Sequence, residues 1–353
     1  MHRSKIPHQY FHLPSRNNNP EKMGEAKEEE KKPLILYLRQ PHPPLEQTLS
    51  LKFQILKPPS PTTPIPQFLS THQYPSSSIR AILCSGYIPI DAPIITSLPN
   101  LACVVTTSAG LNHIDLAECR RRGVVVANAG GVFSVDVADY AVGLLIDVLR
   151  RISASNRYVR SGRWGREGRG EEYFPLGSKL GGKKVGLVGL GNIGSEIAKR
   201  LEAFGCIISY NSRRRKPGVS YSYYPNICDL ASDSDVLVVA CPLTDETRHI
   251  INKDVLSALG KNSIVINIGR GALVDEKELV RCLTQGEIGG AGLDVFENEP
   301  SAPKELFLME NVVLSPHHAV CTPESFRDLF YLCIANLEAF FAGQPLLTPV
   351  KCD

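Results

Sequence analysis

The sequence predicts an α/β protein in which two domains, each built on a parallel sheet, face each other across a cleft. Three observations support this fold class. The chain has 353 residues, and roughly 150 residues per domain leave room for two domains and an extension. Short apolar runs alternate with helix-like segments, which is the pattern of parallel sheets. The alternation occurs twice, over 34–130 and over 184–316, on either side of a long helical segment.

The composition is that of a soluble globular protein. Hydrophobic residues make up 43%, charged residues 21%, and the net charge is +3. So small a net charge does not indicate a nucleic-acid partner, and no apolar run reaches the ~20 residues that cross a bilayer. The ten cysteines show no C-x-x-C spacing and lie mostly within apolar runs. We expect buried thiols in a reducing compartment, with neither disulfides nor a metal site.

Residues 1–33 are mostly polar and end in EEEKKP, so we expect them to form a disordered extension. The first part of this segment contains Arg3, Lys5 and Arg16 but no acid, which leaves a transit peptide as an alternative. Met23 is an alternative start. The sequence contains neither the apolar core of a secretory signal nor a C-terminal Ser-Lys-Leu address, and the expected location is therefore the cytosol.

The first domain begins at LILYLRQ and continues through the predicted strands FQIL, AILCSG, ACVVTTSAG and VVVANAG. Its clearest helix is DLAECRRRG, because Asp115 can cap the first turn, cations fill the last turn and Gly123 can end it. The proline cluster at 58–66 is interpreted as a surface loop.

One long helix is predicted over 133–160, and a Gly/Arg-rich connector follows at 161–183. The second sheet then begins at KVGLVG and continues through CIISY, DVLVVA, SIVINIG, IGGAGLDV and NVVLSP. A last helix, 323–342, is apolar on one side. We expect it to return to the first domain, because the second sheet is already complete.

A glycine-rich turn opens the second sheet, where KVGLVGLGNIGSEIAKRL combines an apolar strand, a G-x-G-x-x-G motif and a helix pattern. Gly189 permits the tight turn, Gly191 allows a pyrophosphate to approach, and Gly194 lets helix and strand pack closely. The helix N-terminus favours the anion. In this context the motif indicates a Rossmann-like dinucleotide site rather than a structural turn, formed by Gly189, Leu190, Gly191, Asn192, Ile193 and Gly194.

Cations stand where a carboxylate usually contacts the ribose, about 20 residues beyond the first glycine. The strand there ends in YNSRRRKP, with Ser212, Arg213 and Arg214 in place of an acid. A hydroxyl and guanidinium groups suit a phosphate dianion, so NADP(H) is expected in preference to NAD(H). A solvated basic loop or a nuclear-import segment is the alternative. The two predicted Rossmann-like domains are a substrate-binding domain, 34–130 completed by 321–353, and an NADP-binding domain, 131–320.

Three ionisable residues follow strands of the second sheet: Arg270 after SIVINIG, Glu299 after GGAGLDVFEN, and His317 after NVVLSP. Ligands in open α/β sheets bind beyond the carboxyl ends of the strands. Each residue alone has an ordinary structural interpretation, but all three share one sheet edge with the dinucleotide site. We therefore expect an active site there, in the cleft.

Several motifs occur in the order and at the spacing of one family: GLGNIG, CPLTDETRHII, INIGRGALVDEKELV, GAGLDVFENEP and SPHHAVCTPES. Over 34–350 the chain resembles the D-isomer-specific 2-hydroxyacid dehydrogenases, and most of all the plant glyoxylate/hydroxypyruvate reductases. NADPH-using members of that group carry the same Ser-Arg pair after the second strand. The resemblance implies a homodimeric oxidoreductase that uses NADPH to reduce a small 2-oxo acid to the D-2-hydroxy acid.

The resemblance also implies a catalytic trio, which carries over to Arg270, Glu299 and His317. These residue types suit the chemistry. Arg270 can bind the carboxylate and carbonyl of a 2-oxo acid. His317 can protonate the carbonyl oxygen as hydride reaches C2, and Glu299 can stabilise the imidazolium. His318 competes for the acid role, but the family histidine directly follows the proline, which favours His317 and leaves His318 a packing or pocket-wall role.

Further site residues follow from the same resemblance. TTSAGLNHIDL (106–116) is similar to the family's substrate loop, whose backbone N–H groups would meet the substrate carboxylate; an ordinary strand–helix turn is the alternative. His113 and Asp115 are expected to be structural. The substrate is assigned to Ser108, Ala109, Gly110, Arg270 and Trp164, the last of them at the dimer interface. The cofactor is assigned, beyond the glycine loop, to Ser212, Arg213, Arg214, Cys241, Pro242, Thr247, Ile268, Arg270 and Asp294.

The chain departs from the family pattern at two places on the expected pocket wall. The histidine is followed by His318-Ala319-Val320-Cys321, and NAGGV (128–132) stands where many relatives have Asn-Thr-Pro. Substrate choice is therefore where the resemblance transfers least safely. It implies glyoxylate and hydroxypyruvate as the leading substrates, with 4-hydroxyphenylpyruvate as a third candidate because some close relatives accept an aromatic tail. Two other classes of function also stay open: a dinucleotide-sensing scaffold like the co-repressors built on this fold, and nucleic-acid binding through 213–216.

Overall fold

The computed structural model describes residues 32–39, 42–60, 63–71, 75–167 and 174–350. The predicted disordered extension is 1–33, and its residues 1–31 lie outside these ranges. Two parallel sheets form the framework, so the predicted α/β fold class is confirmed. None of the helices in the described part of the chain is long and apolar enough to cross a membrane.

The first sheet is built from residues near the N-terminus. Its strands are β1 (Leu34–Leu38), β2 (Gln54–Leu56), β3 (Ala81–Cys84), β4 (Cys103–Thr106) and β5 (Val125–Ala127), and its helices are α1 (Pro43–Lys52), α2 (Ile65–Thr71), α3 (Ala92–Ser97) and α4 (Leu116–Arg122). The strands are parallel and lie in the order β2-β1-β3-β4-β5. Strands β3 and β4 are buried along their whole length, as expected where helices cover both faces.

Helix α4 confirms the start and stop signals in DLAECRRRG. The Asp115 carboxylate accepts a hydrogen bond from the Glu118 N–H at 2.9 Å, which satisfies one of the free donors of the first turn. Gly123 ends the helix with φ 69°, a left-handed conformation that glycine adopts without a Cβ clash.

The prediction of one continuous helix over 133–160 is wrong, because the helix is broken at Arg151. The structure has α5 (Ser134–Arg150), α6 (Ile152–Arg160) and a short α7 (Arg163–Glu167) within the predicted connector. Arg151 interrupts the helix with φ 56°. The Asp147 carboxylate accepts from the Ser153 N–H at 2.7 Å and from its hydroxyl at 2.5 Å. This capping of α6 by a residue of α5 stabilises the break.

The second sheet has seven strands: β6 (Lys184–Val188), β7 (Ile207–Asn211), β8 (Ser222–Tyr223), β9 (Val236–Val239), β10 (Ile264–Asn267), β11 (Gly290–Leu293) and β12 (Val312–Leu314). Its helices are α8 (Asn192–Ala203), α9 (Ile227–Ser232), α10 (Lys253–Leu259) and α11 (Glu276–Thr284). The strands are parallel, in the order β12-β11-β10-β9-β6-β7-β8. The chain reverses direction across the sheet between β6 and β9, which is the switch point where open α/β sheets bind ligands.

Helix α5 packs directly on the second sheet because β11 is rich in glycine. A Cβ on Gly292 would lie 3.2 Å from the Leu144 Cβ, and one on Gly290 would lie 3.0 Å from the Val148 Cγ1. Larger residues in β11 would push the helix away. The glycines of IGGAGLDV therefore serve packing, and they leave the following Asp294 buried at the carboxyl end of the strand.

The C-terminal segment returns to the first sheet. Helix α12 (Pro323–Phe341) starts at Thr322, whose hydroxyl accepts from the Ser325 N–H at 3.0 Å. Beyond the helix, the Val350 N–H donates to the Val126 carbonyl at 2.8 Å, and Pro349 forms an antiparallel bridge with Ala127. The edge of the first sheet is thus completed by the last part of the chain.

Candidate active site

Polar residues from both sheets meet at the carboxyl ends of the strands. Arg270, Glu299 and His317 follow β10, β11 and β12. The segment 108–110 follows β4 of the first sheet and reaches Arg270 directly: a Cβ on Gly110 would lie 2.3 Å from the Arg270 Nη2. The absence of a side chain at Gly110 is what lets the two edges approach.

His317 and Glu299 form a hydrogen-bonded pair, with 2.8 Å between the His317 Nδ1 and the Glu299 Oε2. Their side chains are 25% and 28% exposed. The Glu299 Oε1 accepts from the Phe296 N–H at 3.1 Å, so both oxygens are fixed. Burial alone would raise the pKa of Glu299, but His317, the Phe296 N–H and Arg270 together lower it. Glu299 is therefore a carboxylate at neutral pH, and the His317 Nε2 is left for a ligand.

The backbone of His317 is held in the left-handed region, at φ 54°, which is uncommon for a residue with a Cβ. Asp294 holds this loop in place. Its carbonyl accepts from the His317 N–H at 2.7 Å, and its buried carboxylate accepts from the Ser315 hydroxyl at 2.6 Å and from two further N–H groups, of His318 and Ala319, at 2.7 and 3.0 Å. Asp294 thereby fixes the direction in which His317 points.

Arg270 is positioned by several groups around it. The Asn267 side chain donates to the Arg270 carbonyl at 2.9 Å, and the Arg270 Nη1 donates to the Gly269 carbonyl at 2.7 Å. A longer contact of 3.4 Å joins the Arg270 Nε to the Asn112 Oδ1 of the first sheet's loop. Burial lowers the pKa of Arg270, and the negative charge of Glu299 opposes that shift. The guanidinium remains a cation.

The loop 107–110 presents backbone N–H groups, but not all of those that were predicted. The Ser108 N–H is engaged, because it donates to the Thr106 Oγ1 at 3.2 Å. The carbonyls of Ser108 and Ala109 accept from the Ala129 N–H and the Asn128 side chain. Within the described ranges, the N–H groups of Ala109 and Gly110 have no hydrogen-bond partner, and they are available to an anion.

His113 lies behind this loop, where its Nε2 and the Thr106 Oγ1 are 3.0 Å apart. Burial, and then the charge of Arg270, lower its pKa from 6.5 to about 4. The imidazole is therefore neutral at physiological pH. A neutral ring leaves the positive charge of the site to Arg270 and keeps Thr106 in place beneath Ser108.

This depressed pKa predicts how stability depends on pH. Between pH 6.5 and about 4 the unfolded chain protonates His113 and the folded chain does not, so stability falls as the pH decreases through that window. Above pH 6.5 His113 is neutral in both the folded and the unfolded chain, so this loss of stability is absent there. The free energy of unfolding, measured in urea at several pH values between 4 and 7, should depend less on pH for His113→Asn than for the wild type. The difference in slope should correspond to at most about one proton taken up on unfolding. Identical slopes for the two proteins would contradict the assignment.

The glycine loop has the geometry that its motif predicts. Gly189 adopts φ 102°, and a Cβ there would lie 2.7 Å from the Cys241 N. A Cβ on Gly194 would lie 2.2 Å from the Gly189 carbonyl oxygen, whereas one on Gly191 would meet nothing within 4 Å. The first and third glycines are thus needed for packing, and the second borders open space. Leu190 is buried and Ile193 packs against the core, so only their backbones face that space; Asn192 begins α8.

The basic segment after β7 has an ordered backbone and free cations. The Ser212 hydroxyl donates to the Arg214 carbonyl at 2.7 Å, and the Tyr210 hydroxyl accepts from the Lys216 N–H at 2.8 Å. Arg213 and Arg214 are exposed, and neither forms an ion pair within the described part of the chain. Two unpaired guanidinium groups at the end of the second strand are available to an anionic ligand.

Other residues predicted for the cofactor lie around the same edge. Cys241 and Pro242 follow β9, and burial raises the pKa of Cys241 to about 11, so it is a thiol at neutral pH. The Thr247 hydroxyl closes its own loop by donating to the Pro242 carbonyl at 2.7 Å. Ile268 is buried in the core beneath Arg270. Trp164 lies apart from these residues in sequence, on α7, and is 49% exposed.

Sequence reasoning missed two residues of the site, Tyr87 and Asn112. Tyr87 is 77% exposed, yet its ring centroid lies 6.3 Å from that of His317. Partial burial and the charge of Glu299 raise its pKa. Tyr87 follows β3, so the rule about carboxyl ends of strands could have found it. Asn112 and the contact of His113 with Thr106 had no such signal, because they depend on how the loop folds back.

Comparison with known proteins agrees with this geometry. Residues 142–319 match the family model described as "D-isomer specific 2-hydroxyacid dehydrogenase, NAD binding domain". The chain is 54% identical over 323 residues to glyoxylate/hydroxypyruvate reductase HPR3 of Arabidopsis thaliana, which covers 91% of this chain and 98% of that protein. The chain belongs to the D-isomer-specific 2-hydroxyacid dehydrogenase family. The predicted resemblance is therefore confirmed.

Two further relatives of this dehydrogenase family show the range of its members. Hydroxyphenylpyruvate reductase of Plectranthus scutellarioides is 51% identical over 275 residues, covering 78% of this chain and 86% of that protein. A solved structure, an NADPH-dependent glyoxylate/hydroxypyruvate reductase from Sinorhizobium meliloti in complex with NADP and malonate, matches with a TM-score of 0.83 and 37% identity, over 91% and 97% of the two chains. These relatives give no support to the co-repressor-like scaffold.

Proposed function

We propose that this protein reduces a small 2-oxo acid to the D-2-hydroxy acid with NADPH. One arrangement of groups carries the proposal. Arg270 lies against Gly110, in the loop where the N–H groups of Ala109 and Gly110 are free within the described ranges, and the hydrogen-bonded pair of His317 and Glu299 lies at the same edge. A cation, two N–H donors and a poised acid are the groups that a 2-oxo acid needs.

The substrate carboxylate binds between the two sheets. Arg270 supplies the positive charge, and the N–H groups of Ala109 and Gly110 supply hydrogen bonds from the opposite side. Because Ser108 is engaged with Thr106, it contributes through the shape of the loop and not through its own N–H. The guanidinium also polarises the carbonyl, which makes C2 more electrophilic.

His317 supplies the proton. Its Nδ1 is bonded to Glu299, so its Nε2 donates to the carbonyl oxygen as that oxygen becomes an alkoxide. The carboxylate of Glu299 stabilises the imidazolium before the transfer and orients the ring. The balance is one hydride to C2, one proton to oxygen, and one 2-hydroxy acid released.

The residues of the second sheet fit NADPH, which when bound supplies the hydride. Gly189, Gly191 and Gly194 form the turn, and the open space beside Gly191 suits a diphosphate at the N-terminus of α8. The unpaired Arg213 and Arg214 suit a 2′-phosphate, which an acidic residue at this point would repel. Cys241, Pro242, Thr247, Ile268 and Asp294 would border the nicotinamide half.

Glyoxylate and hydroxypyruvate are the leading substrates, and 4-hydroxyphenylpyruvate is the third candidate. The names of the relatives support all three. The exposed ring of Tyr87 beside His317 offers an apolar surface to a substrate side chain.

The direct test is oxidation of NADPH, followed at 340 nm, on addition of each of these three acids. We expect turnover with at least one of them and a higher kcat/KM with NADPH than with NADH. Absence of turnover with every 2-oxo acid tested, by protein that binds NADPH, would falsify the proposal.

We also propose the assembly and location that were expected from the sequence. The proposed domains are 34–130 with 321–353, and 131–320. The family resemblance supports a homodimer, whose interface would cover exposed apolar side chains on α5 to α7: Val135, Ile152, Val159 and Trp164. Trp164 would then contact the partner or its substrate. Light scattering that gives the mass of one chain at micromolar concentration would contradict the dimer.

The proposed location is the cytosol. The nine cysteines among the described residues are all unpaired thiols, which suits a reducing compartment. Imaging of the full chain fused at its C-terminus to a fluorescent protein tests this, and accumulation in an organelle would contradict it.

A further inference from the structure

A second His–Glu pair lies outside the residues that the mechanism uses. The Nε2 of His249 and the Oε1 of Glu297 are 2.6 Å apart, and the side chains are 39% and 24% exposed. His249 is one of three non-glycine residues with a positive φ among the described residues, at 51°. A half-buried hydrogen bond between an imidazole and a carboxyl group, at a residue whose backbone conformation is also unfavourable, indicates a structural or functional role for the pair.

One partner of the pair is joined to the turn that carries Arg270. The His249 N–H donates to the Ala272 carbonyl at 2.8 Å, and the Ile251 N–H donates to the Leu273 carbonyl at 3.0 Å. Ala272 and Leu273 belong to the 3-10 turn that begins directly after Arg270. The segment from His249 to Ile251 therefore moves only together with that turn.

The other partner belongs to the turn that carries Glu299. Glu297 precedes Glu299 by two residues. The two carboxyl-bearing residues Glu276 and Glu297 bond to each other's backbones, with 3.1 Å from the Glu297 N to the Glu276 Oε2 and 3.5 Å from the Glu276 N to the Glu297 Oε1. The carboxylate of Glu297 thus lies at the N-terminus of α11, where a negative charge is favoured.

The two turns also touch through their backbones. A Cβ on Gly271 would lie 1.9 Å from the Phe296 carbonyl carbon and 2.3 Å from the Glu297 N. No side chain fits between them. Arg270 and Glu299, which act on the same substrate, are therefore carried by two turns in direct contact, and the His249–Glu297 pair bridges these turns a few residues away.

We propose that His249 and Glu297 are positioning residues that lock the Glu299 turn against the Arg270 turn. The inference rests on the proposed function, because it assigns the pair to the alignment of Glu299, and through it His317, with a substrate held by Arg270. Neither residue touches the reacting atoms. Without the pair, the turn from Phe296 to Glu299 keeps its contacts with Gly271 and Glu276, and the Glu299 carboxylate keeps its own two bonds, but the turn is less firmly held against the Arg270 turn.

The test uses full-length Glu297→Gln and His249→Gln, which keep the approximate side-chain size and replace the carboxyl group or the imidazole of the pair. We expect kcat/KM for the 2-oxo acid to fall about tenfold in each variant, because small displacements of catalytic groups are costly. The affinity for NADPH, measured by its fluorescence, should stay unchanged. The double variant should lose no more than either single variant, because the residues act as one unit.

Two further measurements distinguish positioning from general support of the fold. A less well placed Glu299 orients the His317 imidazole less well, so kcat itself should fall in both variants, which weaker substrate binding alone would not cause. Malonate, used as a dianion probe on the NADPH-loaded protein, should bind about tenfold more weakly by calorimetry. The malonate measurement works even if the wild type turns over none of the 2-oxo acids, so failure of the proposed function and failure of this inference are separate results.

Asp233→Asn is the matched control. The Asp233 carboxylate likewise bonds to a basic side chain, that of Lys184, and accepts from the Tyr224 hydroxyl at 2.7 Å. Lys184, however, is the first residue of β6, at the edge of the second sheet opposite to the site. We expect this variant to change thermal stability and not the three activity readouts. The inference is overturned if Glu297→Gln and His249→Gln match the control, with kcat/KM, kcat and malonate affinity all as in the wild type.

Discussion

Replacing His317 with asparagine is expected to lower kcat for reduction of the 2-oxo acid by about 10³-fold, because general acid catalysis contributes 10²–10⁴-fold. Asparagine can still donate a hydrogen bond to the Glu299 carboxylate but has no proton to transfer. The loop backbone is held by Asp294, so NADPH affinity should be unchanged. The measurement is kcat at saturating NADPH and substrate, together with NADPH binding by fluorescence.

His318→Asn is the control for this experiment. His318 is the adjacent histidine, its side chain is exposed, and its contact with Asp294 is made by the backbone N–H, which the substitution retains. It should lose far less activity than His317→Asn. If His318→Asn lost far more activity than His317→Asn, His318 would be the proton donor, and the assignment of His317 from its bond to Glu299 would be wrong.

Reversing the charge of Arg213 and Arg214 together is expected to lower kcat/KM for NADPH by about 10²–10³-fold. Each charge-assisted hydrogen bond to a phosphate is worth about 1.5–3 kcal/mol, and two new carboxylates repel the dianion. kcat/KM for NADH should fall little or rise, because its 2′-hydroxyl can bond to a carboxylate. The measurement compares both coenzymes with the same 2-oxo acid.

The matched control is Arg215→Glu with Lys216→Glu. These residues follow Arg214 directly, they are equally exposed, and the double substitution changes the net charge by the same amount. We expect it to reduce NADPH use only weakly, in a salt-dependent way. Equal losses in the two double variants would mean that the preference comes from the general positive field of the segment. NADH as the better reductant for the wild type would contradict the 2′-phosphate assignment altogether.

Local signals in the sequence predicted much of this fold and site. Asp115 and Gly123 bound α4 because their effects act within one turn, and the glycine loop needs only a strand, a turn and a helix in succession. Arg270, Glu299 and His317 could be predicted to meet because the carboxyl ends of parallel strands share an edge. Each of these inferences uses geometry that neighbouring residues fix.

Features that depend on distant packing could not be predicted. The break at Arg151 is stabilised by the Asp147 carboxylate, which bonds to Ser153. A polar residue at position 147 is equally compatible with an unbroken helix, so the sequence does not indicate the break. The Ser108 N–H was expected to face the substrate, and only the folded loop engages it with Thr106. The pair of His249 and Glu297 joins residues 48 positions apart, and nothing near either one indicates the other.

The return of the C-terminal segment has a consequence for how the chain is made. The strand around Val126 receives its last hydrogen bond from Val350, so the first sheet to be translated is the last to be finished. The second sheet, by contrast, is complete once Leu314 has left the ribosome. A nascent chain therefore carries an unfinished edge on its first sheet throughout synthesis of the dinucleotide-binding region, and removal of Pro349 and Val350 opens the edge strand β5.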